Sequence, residues 1–201
     1  MKFQDISTDT NEKYVLHSPE ETVFFMLNRV GNITFELAKP ETKTRILSLT
    51  LGRDGGDIAL NVTQRHLAQK TRSRLYSKNV LAGVTHFSGE NLISLEKEAH
   101  LSDAHQESRN LLVSEDSRAH SKPALEIKTD DVRCTHAATT STFPKEALFF
   151  AESRGLSPKD AEKLLAQGFA LSVLEHMPDT LKKERKVLEK KIKTEMEKIF
   201  P

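Results

Sequence analysis

The chain has 201 residues, which allows one large domain or two small ones, and 37% of its residues are hydrophobic and 29% charged. Its net charge of +1 excludes a general electrostatic attraction to nucleic acid or to anionic membranes. The single cysteine cannot form an internal disulfide, and the sequence has neither a signal peptide nor an apolar run of membrane-spanning length. We therefore expect a cytoplasmic protein.

The N-terminal half of the chain alternates short strand-like runs with turn signals. Residues 1–12 are polar and are expected to be poorly ordered. Between residues 13 and 62, the runs follow one another at intervals of about 9 to 13 residues, which is typical of an all-β sandwich, barrel or solenoid. The predicted strands are 14–17, 22–27, 33–37, 45–51, 58–62, 73–77, 80–84, 85–89 and 91–95.

Three further strands are predicted between Arg109 and Thr139, at 110–113, 124–127 and 132–139. The third of them contains the only cysteine, Cys134, two residues before His136. Side chains at positions i and i+2 of a strand point to the same face, so these two are expected to lie side by side. The connecting residues are charged or turn-prone: Asp116, Ser117, Ser121, Lys122, Pro123, Asp130 and Asp131.

The sequence after Thr142 has the signals of three helices. Pro144 begins the first, and Gly155 is well placed to end it. Ser157, Pro158 and Asp160 form an N-cap, a proline in the first turn and an acidic first turn for the second helix. The third helix, 181–199, carries one apolar stripe among lysines and glutamates, and we interpret its charged side as a solvated face.

An ordered series of short motifs extends from the predicted strands into the predicted helices. These motifs are Arg109-Asn110-Leu111-Leu112, Lys122-Pro123, Leu125-Glu126-Ile127, Asp130-Asp131-Val132, Cys134, His136, Ala138-Thr139, Glu146 to Phe150, Ser153 to Leu156, Ala161 and Phe169-Ala170. In this series the chain resembles the SufB/SufD family of iron–sulfur cluster assembly proteins, and SufD in particular, most strongly from about Thr71 to Met177. The resemblance implies a mainly β fold, with a right-handed parallel β-helix core over residues 13–142 and a C-terminal α-helical tail over residues 143–201.

The same resemblance implies a non-enzymatic scaffold. The core is expected to pair with a second SufB/SufD-type subunit or with another copy of itself, and the tail to bind a SufC-type ABC ATPase. Longer members of the family carry an additional N-terminal helical region, so this chain looks like a short form. An open β-helix end exposes strand edges that need covering, which makes a dimer the plain expectation.

His136 and Cys134 are the candidate metal ligands by resemblance, since this histidine lies at the subunit interface in the family. The residue after the histidine is usually glycine in the family and is Ala137 here. An iron–sulfur cluster normally takes four protein ligands, so a site would have to be completed across an interface. We expect no stably bound cofactor and at most a transient iron–sulfur cluster. A small buried thiol and an interface histidine that binds nothing are the structural alternatives.

The resemblance also assigns candidate residues for binding the ATPase. Apolar side chains that stay exposed on the tail would serve this purpose, and the alternative is that they form the interior of the tail. The candidates are Glu146, Phe149, Phe150, Arg154 and Phe169.

Two other functional classes stay open at this point. The first is a stand-alone homodimeric β-helix with an interaction role and no cluster. The second is a carbohydrate-active β-helix enzyme, for which Asp130 and Asp131 would supply paired carboxylates. Adjacent strand residues point to opposite faces, so we interpret this pair as a turn. His17, His66, His86, His100, His105 and His120 show no ligand-like spacing and are interpreted as surface or structural residues.

Overall fold

A computed structural model describes residues 1–53 and 55–200. The described residues form eleven β-strands followed by three α-helices and two short 3₁₀ helices. The helices among these residues are too short or too polar to span a membrane. The strands are β1 (Lys2–Asp5), β2 (Lys13–Leu16), β3 (Thr22–Leu27), β4 (Gly31–Leu37), β5 (Lys43–Gly52), β6 (Gly56–His66), β7 (Arg72–Leu81), β8 (Thr85–Leu95), β9 (Asp103–Leu112), β10 (Arg118–Ile127) and β11 (Arg133–Ser141).

Strands alternate between two parallel sheets. The odd-numbered strands form one sheet in the order β1-β3-β5-β7-β9-β11, and the even-numbered strands form the other in the order β2-β4-β6-β8-β10. Equivalent positions of successive turns therefore stack in register, as Thr44 does on Ser73 and Ser73 on Ala104. This two-sheet solenoid confirms the predicted parallel β-helix.

The strands are longer than the sequence pattern indicates. Contrary to the expectation of a poorly ordered N-terminus, Lys2–Asp5 form β1 and pair with β3. The predicted strands 73–77 and 80–84 are largely one strand, β7, and 85–89 and 91–95 are one strand, β8. The first of these two predicted strands ends at Gly89, but this glycine lies inside β8. An added Cβ there would be 2.9 Å from the Phe87 ring.

The greatest difference concerns the segment before Leu125. The sequence predicts a turn at Ser121, Lys122 and Pro123, but these residues belong to β10, which starts at Arg118. Proline is tolerated there because β10 is the last strand of its sheet and needs no further hydrogen bonds on its outer side.

Two hydrophobic clusters organise the molecule. The first fills the interior of the β-helix near its N-terminal end, where Phe24 and Phe35 contact each other with ring centroids 4.9 Å apart. The second lies on the outer face of the odd-numbered sheet, where the helical tail packs against it. The tail consists of α1 (Lys145–Ser153), α2 (Pro158–Leu171), 3₁₀ helices at Ser172–His176 and Asp179–Leu181, and α3 (Lys182–Glu197).

The helix signals in the sequence have the predicted roles. Ser157 Oγ accepts a hydrogen bond from the Asp160 backbone N–H at 3.2 Å, and Pro158 is the first helical residue of α2. Gly155 follows the end of α1 with a φ of +93°, a conformation that glycine adopts without strain. The end of α1 and the start of α2 are therefore determined by residues at the helix ends themselves.

The tail lies across the β-helix from its last turn back to its first. Val173, Leu188 and Ile192 are buried against Phe25 and Leu49 and their neighbours on the odd-numbered sheet. Polar contacts run along the same junction: Lys191 Nζ is 2.7 Å from Asp5 Oδ2, Lys78 donates to Ser172 Oγ, and Arg45 donates to the carbonyl of His176. The core and the tail thus share one hydrophobic cluster.

Shortening a buried side chain of α3 is expected to destabilise the whole fold. Ile192 is fully buried, so Ile192→Ala should lower the free energy of unfolding by about 2 to 5 kcal/mol. Val187 lies on the same helix but is 68% exposed, so Val187→Ala should change it by less than about 0.5 kcal/mol. Urea unfolding of the two variants measures both values, and equal effects would contradict the docking of α3.

A polar network around His66 lies inside the solenoid. Its Nδ1 is 2.7 Å from Thr71 Oγ1, and its Nε2 is 2.8 Å from Ser73 Oγ. Burial disfavours the charged imidazolium and lowers the pKa of His66 to about 4, with a smaller contribution from the nearby Arg74. The ring is therefore neutral in the folded protein at neutral pH.

This burial predicts a pH-dependent stability. In the unfolded chain the imidazole regains a pKa of about 6.5, so between pH 6.5 and 4 the unfolded state binds more protons. The contribution of the neutral His66 to the free energy of unfolding is therefore fully present above pH 6.5. It is lost as the pH drops towards 4, by about 3 kcal/mol at most. Urea unfolding at pH 7, 6 and 5 should show that the free energy of unfolding changes less with pH in His66→Gln than in the wild type. An exposed control, His100→Gln, should match the wild type, and an unchanged slope in His66→Gln would contradict the interpretation.

Candidate functional site

The last strand of each sheet, β10 and β11, has a neighbouring strand on one side only. We call these two strands the open end. By strand alternation, their inward-facing residues continue the interior rows of the preceding turn. These residues are Ala119, Ser121, Pro123, Leu125 and Ile127 of β10, and Cys134, His136, Ala138 and Thr140 of β11.

Burial changes abruptly between the last two rungs. Leu125 stacks on Ile93 and Ile127 on Leu95, and these two residues of β8 are fully buried. Leu125 and Ile127 themselves are 38% and 46% exposed. These are core positions that lack a covering rung, which distinguishes them from ordinary surface residues.

Cys134 and His136 lie on the inward-facing side of β11, as strand alternation predicts. Cys134 stacks on Ala104 and His136 on Gln106, and both lower residues are buried. Cys134 is half-buried and contacts the small apolar cluster that includes Ile93. His136 is exposed, and its ring forms no hydrogen bond with any described residue.

A second candidate surface lies on α1. Phe149 is 74% and Phe150 60% exposed, and Ala151 is the one buried residue of this helix. Glu146 and Arg154 are also exposed, and the Arg154 guanidinium lies 5.0 Å from the centre of the Phe150 ring. We call Glu146, Phe149, Phe150 and Arg154 the α1 surface.

The fifth predicted residue of that set has a different position. Phe169 is partly buried and packs against the hydrophobic cluster shared by the tail and the sheet. Lys78 Nζ lies 4.9 Å from the centre of its ring. Phe169 is therefore part of the junction between the tail and the β-helix, and it does not belong to the α1 surface.

Comparison with known proteins identifies the family. The family model described as SUF system FeS cluster assembly, SufBD core domain, matches residues 26–169. This match covers most of the β-helix and extends through α1 into α2. The chain belongs to the SufBD family.

Curated members of the SufBD family support the assignment. An iron–sulfur cluster assembly SufBD family protein of Synechocystis is 35% identical over 153 residues, which is 73% of this chain and 32% of that protein. A SufBD family protein of Mycobacterium leprae is 32% identical over 136 residues, 68% of this chain and 16% of that protein. The Escherichia coli iron–sulfur cluster assembly protein SufD is 34% identical over 88 residues, 44% of this chain and 21% of SufD.

The chain therefore spans a third or less of the length of these SufBD relatives. The common region is the β-helix with the beginning of the tail, since the family model ends at residue 169. The open end and the α1 surface both lie within this common region.

The thiol of this SufBD member is not poised as a free nucleophile. Burial raises the pKa of Cys134, and the carboxylate of Asp103 raises it further, so the thiol is protonated at neutral pH. A thiolate ligand would form only when a metal displaces the proton or when the surroundings change.

Cys134 and His136 would be two of the four protein ligands that an iron–sulfur cluster normally takes. Within residues 1–53 and 55–200, no group of three or more His, Cys, Asp or Glu side chains is arranged to hold a metal ion.

The aspartate pair and the histidines singled out in the sequence lie at separate places in the structure. Asp130 and Asp131 lie in the turn before β11, and Asp131 has a φ of +55°, which agrees with the interpretation as a turn. His105 hydrogen-bonds Thr135 at 2.8 Å, and His86 lies 3.4 Å from Asp57.

The local sequence does not single out two residues of the open end. Leu125 and Ile127 fit an ordinary buried strand, and nothing in their local pattern indicates that the next rung is lacking. The register of a solenoid, which decides their exposure, follows only from the assembled sheets.

Proposed function

We propose that this chain is a scaffold subunit of a Suf-type iron–sulfur cluster assembly complex, with no catalytic role of its own. The observation that carries the proposal is the uncovered rung at the open end, where apolar core positions lie beside a cysteine and a histidine. Membership of the SufBD family supports a role in this system.

The open end would bind a second SufB/SufD-type core or another copy of this chain. Its two strands offer free backbone edges, and Leu125 and Ile127 offer apolar surface that a facing rung would bury. In this arrangement the interior rows of the two chains would meet at the interface.

An iron–sulfur cluster would be a transient cargo of that interface. His136 and Cys134 would supply two of its ligands, and the partner would supply the others. The raised pKa of Cys134 fits a temporary site, because the thiol returns to its protonated form when the cluster leaves.

The α1 surface would bind a SufC-type ABC ATPase, and ATP hydrolysis would belong to that partner. Phe149 and Phe150 would be the aromatic anchors of this contact, since both are largely exposed on a short helix and exposed aromatic residues carry much of the binding energy in protein interfaces. Because α1 directly follows β11, a partner on α1 would be mechanically connected to the open end. We place this assembly in the cytoplasm.

A stand-alone homodimer without a cluster is the second candidate. It would need no cluster ligands, and the described residues contain no group of three or more His, Cys, Asp or Glu side chains that could hold a metal ion. This candidate predicts a dimer through the open end and no binding of the ATPase.

Co-expression of the tagged chain with the SufC-type ATPase of the same organism tests the proposal. We expect stoichiometric capture of the ATPase. A stable dimer that captures none would favour the second candidate, and a monomer that captures none would contradict both.

A further inference from the structure

On the side of the odd-numbered sheet, part of the interior of the β-helix becomes more polar along its axis. Around β3 and β4 it is filled by large apolar side chains such as Phe24 and Phe35. From β5 onward, two neighbouring inward-facing rows of the odd-numbered sheet are mostly polar. One row consists of Ser48, Ser77 and Ser108, and the other of Thr50, Asn79, Asn110 and Thr140.

The part of these rows nearest the open end forms its own hydrogen bonds. Asn79 Nδ2 donates to Asn110 Oδ1 at 2.7 Å. Asn110 Nδ2 in turn donates to Ser121 Oγ and to Thr140 Oγ1, both at 3.0 Å. A continuous polar network therefore reaches the open end from the middle of the solenoid.

Deeper inside, several buried polar atoms lack a hydrogen-bond partner among the described residues. All five side chains concerned are at most 1% exposed. Leaving a buried donor or acceptor unsatisfied costs about 1 to 3 kcal/mol, and folded proteins nearly always satisfy such groups. The atoms are Ser48 Oγ, Thr50 Oγ1, Asn79 Oδ1, Gln106 Oε1, and both Oε1 and Nε2 of Gln64.

We propose that these atoms bind a file of ordered water molecules inside the β-helix. Their chemistry matches water, because the hydroxyls both donate and accept while the amide groups add separate donors and acceptors. All five side chains are uncharged, so an ion would find no compensating charge in them. A buried water typically makes two to four hydrogen bonds, so the file would supply partners to the atoms that the protein itself leaves without one.

The file leads towards the candidate site. Gln106 is the register neighbour of His136, one strand spacing of about 4.8 Å away. Water bound at Gln106 Oε1 would extend the interior network to the rung that carries His136. This inference concerns the interior of the single chain and does not depend on the proposed partners.

A high-resolution crystal structure of the full chain tests the proposal directly. We expect water molecules within hydrogen-bond distance of Ser48 Oγ and of the Gln64 amide. A dry interior, in which these side chains have turned to bond one another, would overturn the proposal.

Water relaxation dispersion in solution provides a second measurement that needs no crystal. The wild type should contain several long-lived water molecules, and Gln64→Leu should lose at least one of them. Ile93→Val, at the register neighbour of Gln64, is the matched control and should leave the number unchanged, since small apolar voids stay dry. A wild type without long-lived water would overturn the proposal whatever the variants do.

Discussion

Phe149→Asp is expected to abolish capture of a SufC-type ATPase. The side chain is 74% exposed on α1, so the substitution should leave the fold intact while placing a charge in the middle of the proposed contact. Truncating an aromatic anchor typically costs 2 kcal/mol or more, and burying an unpaired carboxylate adds to this cost. We expect the affinity to fall roughly 100-fold or more, measured by calorimetry or by surface-immobilised binding.

Val187→Asp is the matched control for this experiment. Val187 is an apolar residue of α3 with a similar exposure of 68%, and it lies outside the α1 surface. The control should bind the ATPase as the wild type does. If Phe149→Asp binds normally, or if both variants lose binding equally, α1 is not the docking helix.

Leu125→Asp is expected to prevent association through the open end. The residue continues an interior row, so a facing rung would enclose its side chain, and a carboxylate enclosed there would lack a partner. We expect the second core, or the second copy of this chain, to dissociate at micromolar concentration. Light scattering of the purified protein measures the change in mass.

The opposite edge of the same sheet offers the control. Val15 is 45% exposed on β2, the last strand at the other end of the even-numbered sheet. Val15→Asp should leave the association intact. The reverse result, with dissociation by Val15→Asp alone, would place the interface at the N-terminal end of the solenoid.

Much of the fold could be predicted because its signals are local. Alternating apolar runs indicate strands, and Ser157 and Gly155 mark helix ends through side-chain and backbone chemistry that the structure contains. Residue type predicted the wrong local structure where the position in the assembled sheets matters more. Pro123 suggests a turn but lies in an edge strand, and Gly89 suggests a break but makes room for the Phe87 ring.

The candidate site was predictable only in part, for a related reason. Alternation correctly places Cys134 and His136 on one face of a strand, since this depends on two residues of the same strand. Which apolar side chains stay exposed depends on distant packing. Periodicity therefore could not separate Phe169, which packs against the sheet, from Phe149, which does not, nor could it reveal that Leu125 lacks a cover.

The most direct test of the account is the mass of the complex formed when this chain is co-expressed with the SufC-type ATPase and a SufB-type subunit of the same organism. Native mass spectrometry should find all three chains in one particle, which Leu125→Asp separates from the second core and Phe149→Asp separates from the ATPase. If the chain is detected alone, bound to neither protein, the result would contradict the scaffold role.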